Sequence, residues 1–338
     1  MSRPRFGWDI GVLILLVLTF VIGGQLNGDF ATQSNMSFVI QDIGEILLIA
    51  LPMTLIIITG EIDLSVASII ALSSCVMGKA FEAGLPMTLA ALVGIGVGGL
   101  AGAFNGVLIS RLGLSSLAVT IGTLGLFRGL SWALMGDGSV ANFPPAWTKL
   151  GYESIPGSFL PYVTPLLALL VLVFGVFLHA TKGGRWIFAI GQSVDAARFA
   201  GIPVAKLKFR LYVLSGLVSG LAGLVYSLRF ASARPDAAIG FELAVIAAAL
   251  FGGVSIFGGV GTMWGVVGSV LFLGAVRSLL QLQNVAPNAL TIVTGGLLLS
   301  SVIVPALLHR LAQLRRPRAP APLAPTGVAD PVRAVSGA

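Results

Sequence analysis

The chain has 338 residues, of which 56% are hydrophobic and only 10% charged, and its mean hydropathy is +0.99. A soluble domain of this length could not screen so much apolar surface with so few charges, so the composition excludes a soluble globular protein and requires one embedded in a bilayer. A formal net charge of +7 would point to nucleic acid in a soluble domain; here the cations gather between apolar runs and in the tails, where topology uses them, and no nucleic-acid partner is expected.

A helix crosses the hydrocarbon core with about 20 mainly apolar residues. The runs that meet or approach this length are 9–25, 38–59, 64–80, 86–110, 115–135, 161–180, 209–229, 242–257, 262–281 and 289–309. They predict an all-α polytopic transmembrane bundle of about ten spans. The first run follows Arg3 and Arg5 and could be mistaken for a secretory signal, but the spans after it make it the first membrane helix. Run 242–257 is short enough to be re-entrant.

An even number of spans puts both termini on one side, and the positive-inside bias names it. Arg3, Arg5, Arg111, the cations of 182–210, Arg310, Arg315, Arg316, Arg318 and Arg333 fall inside, against Lys79, Lys149, Arg229 and Arg234 outside. The densest cluster is KGGRWIFAIGQSVDAARFAGIPVAKLKFR, Lys182 to Arg210, which holds Lys182, Arg185, Arg198, Lys206, Lys208 and Arg210. A membrane protein that interrupts its apolar runs with this much helix-forming polar sequence is expected to offer a cytoplasmic docking surface. Residues 1–310 are thus expected to form a transmembrane domain carrying a cytoplasmic loop at 182–208. Residues 311–338, rich in Pro and Ala, read as a disordered cytoplasmic tail.

Glycine-rich runs, Gly94 to Gly106 and Ser215 to Gly223, place small residues on one helix face and suit close backbone packing. Two segment pairs also look alike. Ile62 to Ser74 resembles Phe241 to Gly253, and Leu117 to Leu126 resembles Leu290 to Leu299, which relates spans three to five to spans eight to ten as an inverted repeat. Such repeats are characteristic of transporters with a path near the midplane.

Few residues suit chemistry. Cys75 lies alone in an apolar run, and His179 and His309 share no metal-ligand spacing. There is no GxxxxGK[ST] loop, so ATP energy would have to come from another subunit, and no Ser/His or paired-Asp constellation suggests an enzyme. Glu61 and Asp63 begin a span, where Asp63 is expected to cap the helix or stand near a gate. Arg128 and Arg277 lie within spans, have no acidic residue at helical spacing, and are expected to face the bundle interior, hydrogen-bond a broken helix or reach an interface. Asn105, Thr120, Arg128 and Ser255 are the candidates for lining a translocation path.

Four stretches, Ile62 to Ser68, Phe104 to Leu130, Gly184 to Val204 and Phe251 to Leu271, are similar to the permease subunits of bacterial ABC importers for monosaccharides. That group serves ribose, xylose and rhamnose, and it includes the autoinducer-2 permeases. The most specific combination is AIG-x-x-x-x-AA-x-x-x-GI with GG-x-S-x-x-GG-x-GT, and the likeness extends from about Leu47 to Pro305. The stretch from Arg234 to Gly259 looks closest to the rhamnose and autoinducer-2 types. A departure is Thr59-Gly60-Glu61 where the family usually has a glycine pair, with Ala67 where glycine often follows; it puts the local helix start in question.

The resemblance implies a coupling helix within 184–204 that sits in a cleft of an ATPase subunit. Its coupling positions would be Gly184, Arg185, Ala189, Gly191, Ala196, Ala197, Arg198, Gly201 and Ile202, with Val194, Ala197, Ala200 and Gly201 forming a small apolar face beside Arg198. The implied partners are the ATPase subunit, an extracytoplasmic sugar-binding protein, a second permease copy or paralogue, and membrane lipid. No cofactor of its own is expected, since ATP is bound by the partner subunit. The alternatives are a permease for branched-chain amino acids, which shares the wider superfamily, a secondary transporter with an inverted repeat, and a purely structural membrane protein.

Overall fold

The computed structural model describes residues 6–285, together with Ile292, Gly295, Gly296, Leu299 and Ile303. Its regular structure is helical: α1 (Phe6–Leu26), α2 (Gln33–Ile58), α3 (Val66–Glu82), α4 (Met87–Ser110), α5 (Ser116–Met135), α6 (Pro145–Tyr152), α7 (Thr164–Ala180), α8 (Lys182–Gln192), α9 (Val194–Phe199), α10 (Val204–Arg229), α11 (Phe241–Phe251) and α12 (Met263–Leu282). Nine of the expected runs therefore fall on helices, α1 to α5, α7 and α10 to α12. Of the tenth, 289–309, only Ile292, Gly295, Gly296, Leu299 and Ile303 are described, each helical, and the expected tail lies outside the described residues.

The span count differs from expectation. Among the described residues, six helices are long and apolar enough to cross a bilayer, or seven if α7 and α8, bent by 66° at their junction, form one span. Two expected spans fall short for local reasons. The chain leaves α2 through an irregular stretch at Glu61–Asp63, so that α3 starts among buried residues and has only 17 residues. Helix α11 has 11 residues, begins after Gly240 in the left-handed region and ends at Gly252, where a Cβ would stand 2.6 Å from the Val266 backbone.

Helix α2 is the axis of the core. It is buried all round from Leu47 to Ile58, which an apolar helix achieves only at the centre of a bundle. By contrast α1, α4, α5 and α7 turn apolar residues outward, among them Val17, Leu100, Leu126 and Leu169, which is the pattern of lipid-facing helices. The two glycine-rich runs pack on each other. A Cβ on Gly98 would overlap the Gly216 carbonyl oxygen, one on Gly102 the Tyr212 carbonyl oxygen, and one on Gly220 would stand 2.8 Å from Ile95 Cα. Helices α4 and α10 thus meet backbone to backbone, a contact only glycine permits.

The bundle has a basic end. There the end of α2, the start of α12 and the α7–α8 junction converge: Gly259 N–H donates to Ile58 O at 2.8 Å, Met263 N–H donates to His179 Nε2 at 3.2 Å, and Thr262 Oγ1 donates to Asp9 of α1 at 2.7 Å. Arg111 lies over the Phe209 ring and Lys208 pairs with Glu61 at this same end. At the opposite end Asn27 Nδ2 donates to Leu282 O at 3.3 Å and Gln41 Nε2 donates to Tyr152 O at 2.8 Å. The charge asymmetry read from the sequence thus corresponds to the two ends of the bundle.

Candidate functional site

Helices α8 and α9 form a short angled segment at the basic end. Thr181 caps α8 by accepting from Gly184 N–H at 3.2 Å, and Ser193 caps α9 by accepting from Ala196 N–H at 3.2 Å. Gly184 and Gly191 are required by close approach: a Cβ on either would overlap a backbone carbonyl, that of Leu178 and that of Ile58 respectively. Ile187 and Ile190 bury the inner side of α8. Gly201, at φ +77°, ends α9 in a left-handed turn that carries Ile202 N–H back to Ala197 O at 3.0 Å.

The apolar face expected on α9 is divided between its two sides. Ala197 is buried and Val194 half-buried on the inner side of α9, whereas Ala200 and Gly201 are exposed. Outward face Asp195, Ala196, Arg198, Phe199 and Ala200, with Arg185 exposed on α8. Of the expected coupling positions, Arg185, Ala196, Arg198 and Gly201 are exposed. Gly184 and Ala197 are buried in the mounting, and Ala189, Gly191 and Ile202 are half-buried. Phe199, an aromatic among small and polar residues, is 94% exposed.

The second specific motif packs against the first. In Gly252–Thr262, Ser255 N–H donates to Val260 O and Gly258 N–H to Ser255 O, both at 3.0 Å, closing a tight turn. A Cβ on Gly258 would stand 2.9 Å from Gly60 N and 3.0 Å from Gly191 O. Ser255 belongs to this turn, its Oγ accepting from Phe257 N–H at 3.3 Å. Ser255, grouped with Asn105, Thr120 and Arg128 as a candidate for lining a path, thus lies in this turn at the basic end and not within a helix.

Those three residues hold broken segments in place. Asp63, fully buried, accepts from Ser65 N–H at 3.0 Å, Ser65 Oγ at 2.6 Å and Ser215 Oγ at 3.0 Å. It folds an Asx-type turn ahead of α3, whose N-cap is Ser65, so the expected helix cap at Asp63 shifts by two residues. Asn105, also fully buried, donates to Ser65 Oγ at 2.8 Å. Thr120 Oγ1 donates to Ser116 O at 2.8 Å and reaches Ile62 O at 3.4 Å. Arg128 donates to Pro235 O at 2.7 Å, Ala237 O at 2.8 Å and Ala67 O at 3.3 Å. Its guanidinium thus ties the α10–α11 connection to the first turn of α3. That connection includes Ala231 and Ala238 at positive φ, a conformation that persists only when clamped.

A charge cluster escaped the sequence reading. Arg229 of α10 bonds Asp42 at 3.0 Å and Glu45 at 3.1 Å on α2, and Arg277 of α12 reaches Asp42 at 3.6 Å. Glu45 has no exposed surface. The partners lie more than 180 residues apart for Arg229, beyond any local spacing rule. The available signal was the pair of acids three residues apart inside an apolar run.

Comparison with known proteins places this architecture. The profile of the family described as "Branched-chain amino acid transport system / permease component" matches residues 35–302. The chain is 35% identical to the autoinducer 2 import system permease protein LsrD of Yersinia pseudotuberculosis serotype O:3, strain YPIII, over 306 residues, covering 89% of this chain and 91% of that protein. It is 34% identical over the same length to the protein of that name in Yersinia pestis, strain Pestoides F. No solved structure matches the chain.

Proposed function

The chain belongs to the branched-chain amino acid transport system / permease component family, and from its likeness to autoinducer 2 import permeases we propose that it carries a monosaccharide-like solute inward under the drive of a separate ATPase. It is a multi-pass permease subunit of an ATP-binding-cassette importer in the bacterial inner membrane. The substrate reading is a small polyhydroxylated molecule of the rhamnose, ribose or autoinducer-2 type. The observation that supports it is end-to-end identity, 35% across about nine-tenths of both chains, with a permease named for autoinducer 2 import.

In this proposal α8 and α9 dock the ATPase through Arg185, Ala196, Arg198 and Phe199. An extracytoplasmic binding protein delivers solute to the opposite end, and a second copy or paralogue completes the path. Asn105, Thr120 and Arg128 brace the walls of that path through residues 61–65 and 231–240. The repeat relating 62–74 to 241–253 belongs to the same proposal, supported by the fact that both segments yield short helices broken from their neighbours, α3 and α11. Branched-chain amino acids are the second reading, favoured by the family's own description. The test is the thermal shift of the partner binding protein over a panel of monosaccharides, autoinducer-2-type furanosyl diols, leucine and valine. A shift with a sugar-like ligand supports the proposal, and a shift with leucine or valine alone overturns it.

A further inference from the structure

We propose that the turn Ser255–Val260 is a second part of the ATPase-docking surface, with Phe257 as its anchor; the inference rests on the permease reading above. Phe257 is 89% exposed, and with Phe199 at 94% it gives the basic end two aromatic rings almost free of the bundle. Ile256 and Val260 flank it, both more than one-third exposed. The ring is not on a loose loop. The turn is closed by the Ser255–Val260 and Gly258–Ser255 backbone bonds, and Gly258 and Gly259 adopt φ of +82° and +73°.

The turn is also fixed to the segment that carries α9. Gly259 N–H donates to Ile58 O, and Gly258 presses on Gly60 and on Gly191, the penultimate residue of α8. The turn that carries Phe257 is therefore packed on the end of α8, immediately before the Ser193 cap of the helix that carries Phe199. A pre-ordered aromatic loses little conformational entropy on binding, and buried aromatics carry most of the energy in interfaces of this kind. The continuity with α8 commits the occupant to the ATPase subunit; bilayer lipid is the competing occupant that the test separates.

The experiment measures the affinity of the purified ATPase subunit for the permease in nanodiscs, comparing the unaltered chain with Phe257→Ala, Phe257→Leu, Phe199→Ala and, as a lipid-facing control, Leu100→Ala. Phe257→Ala is expected to weaken binding by about tenfold or more, Phe257→Leu to restore part of it, and Leu100→Ala to change nothing. Equal affinities for Phe257→Ala and the unaltered chain, with Phe199→Ala impaired, would assign Phe257 to lipid and overturn the inference alone. Failure of the unaltered chain to bind any ATPase subunit would instead overturn the permease reading.

Discussion

Gly191 and Ile58 meet backbone to backbone: a Cβ on the glycine would overlap the Ile58 carbonyl oxygen, and that oxygen also accepts the Gly259 amide at 2.8 Å. One carbonyl thus joins the central helix α2, the end of α8 and the turn before α12.

Gly191→Val should displace α8 from α2 and weaken ATPase binding. Gly122→Ala is the contrast, since nothing lies within 4 Å of a Cβ there and the helical glycine is exposed on α5. That variant should bind normally and gain up to about 1 kcal/mol of stability from helix propensity. Thermal unfolding in detergent together with ATPase pull-down checks both; normal pull-down by Gly191→Val would show that the junction does not support docking.

Gly102→Leu should separate α4 from α10, because the added side chain would collide with the Tyr212 carbonyl and with Gly216, whose Cα would stand 2.9 Å from the Cβ. The expected outcome is loss of the monodisperse peak in size-exclusion chromatography. A monodisperse variant with an unchanged melting temperature would contradict the packing described.

Arg229→Met should leave Asp42 and Glu45 without their nearest cation and cost about 3–5 kcal/mol, the usual penalty for breaking a buried ion pair from one side. Combining it with Asp42→Leu and Glu45→Leu removes the stranded charges and should recover much of the loss. Additive losses in thermal unfolding would show that the pairs are not coupled.

The basic end should face the cytoplasm. With Cys75 replaced by serine, a cysteine at exposed Ser193 should resist a membrane-impermeant thiol reagent in spheroplasts, whereas one at exposed Ser158 should react. The reverse pattern would invert the orientation and remove the docking role of α8–α9.

What the sequence made legible was what depends on composition and local spacing. The apolar runs gave the helices, the clustered cations gave the basic end, and the glycine runs gave a close contact, although their pairing with each other required the fold. The direction of α9 was misread because a six-residue helix is too short for periodicity to decide which side is buried, and Ala197 looks the same in either role. The expected run 242–257 extended past α11 to include Ser255 because an apolar window cannot distinguish a tight glycine turn from the end of a span. The Asp42–Arg229–Glu45 cluster joins helices far apart in sequence, and the short α3 depends on Asp63 finding Ser215 across the bundle.

The central claim is that this chain moves a sugar-like solute using ATP hydrolysed by another subunit. The most direct measurement is uptake of radiolabelled solute into proteoliposomes holding the permease, its ATPase subunit and the binding protein, with and without ATP and with ion gradients collapsed. The account predicts uptake that requires ATP, the ATPase subunit and the binding protein and persists without any ion gradient. Uptake by the permease alone, driven by an imposed proton or sodium gradient and indifferent to ATP, would contradict it.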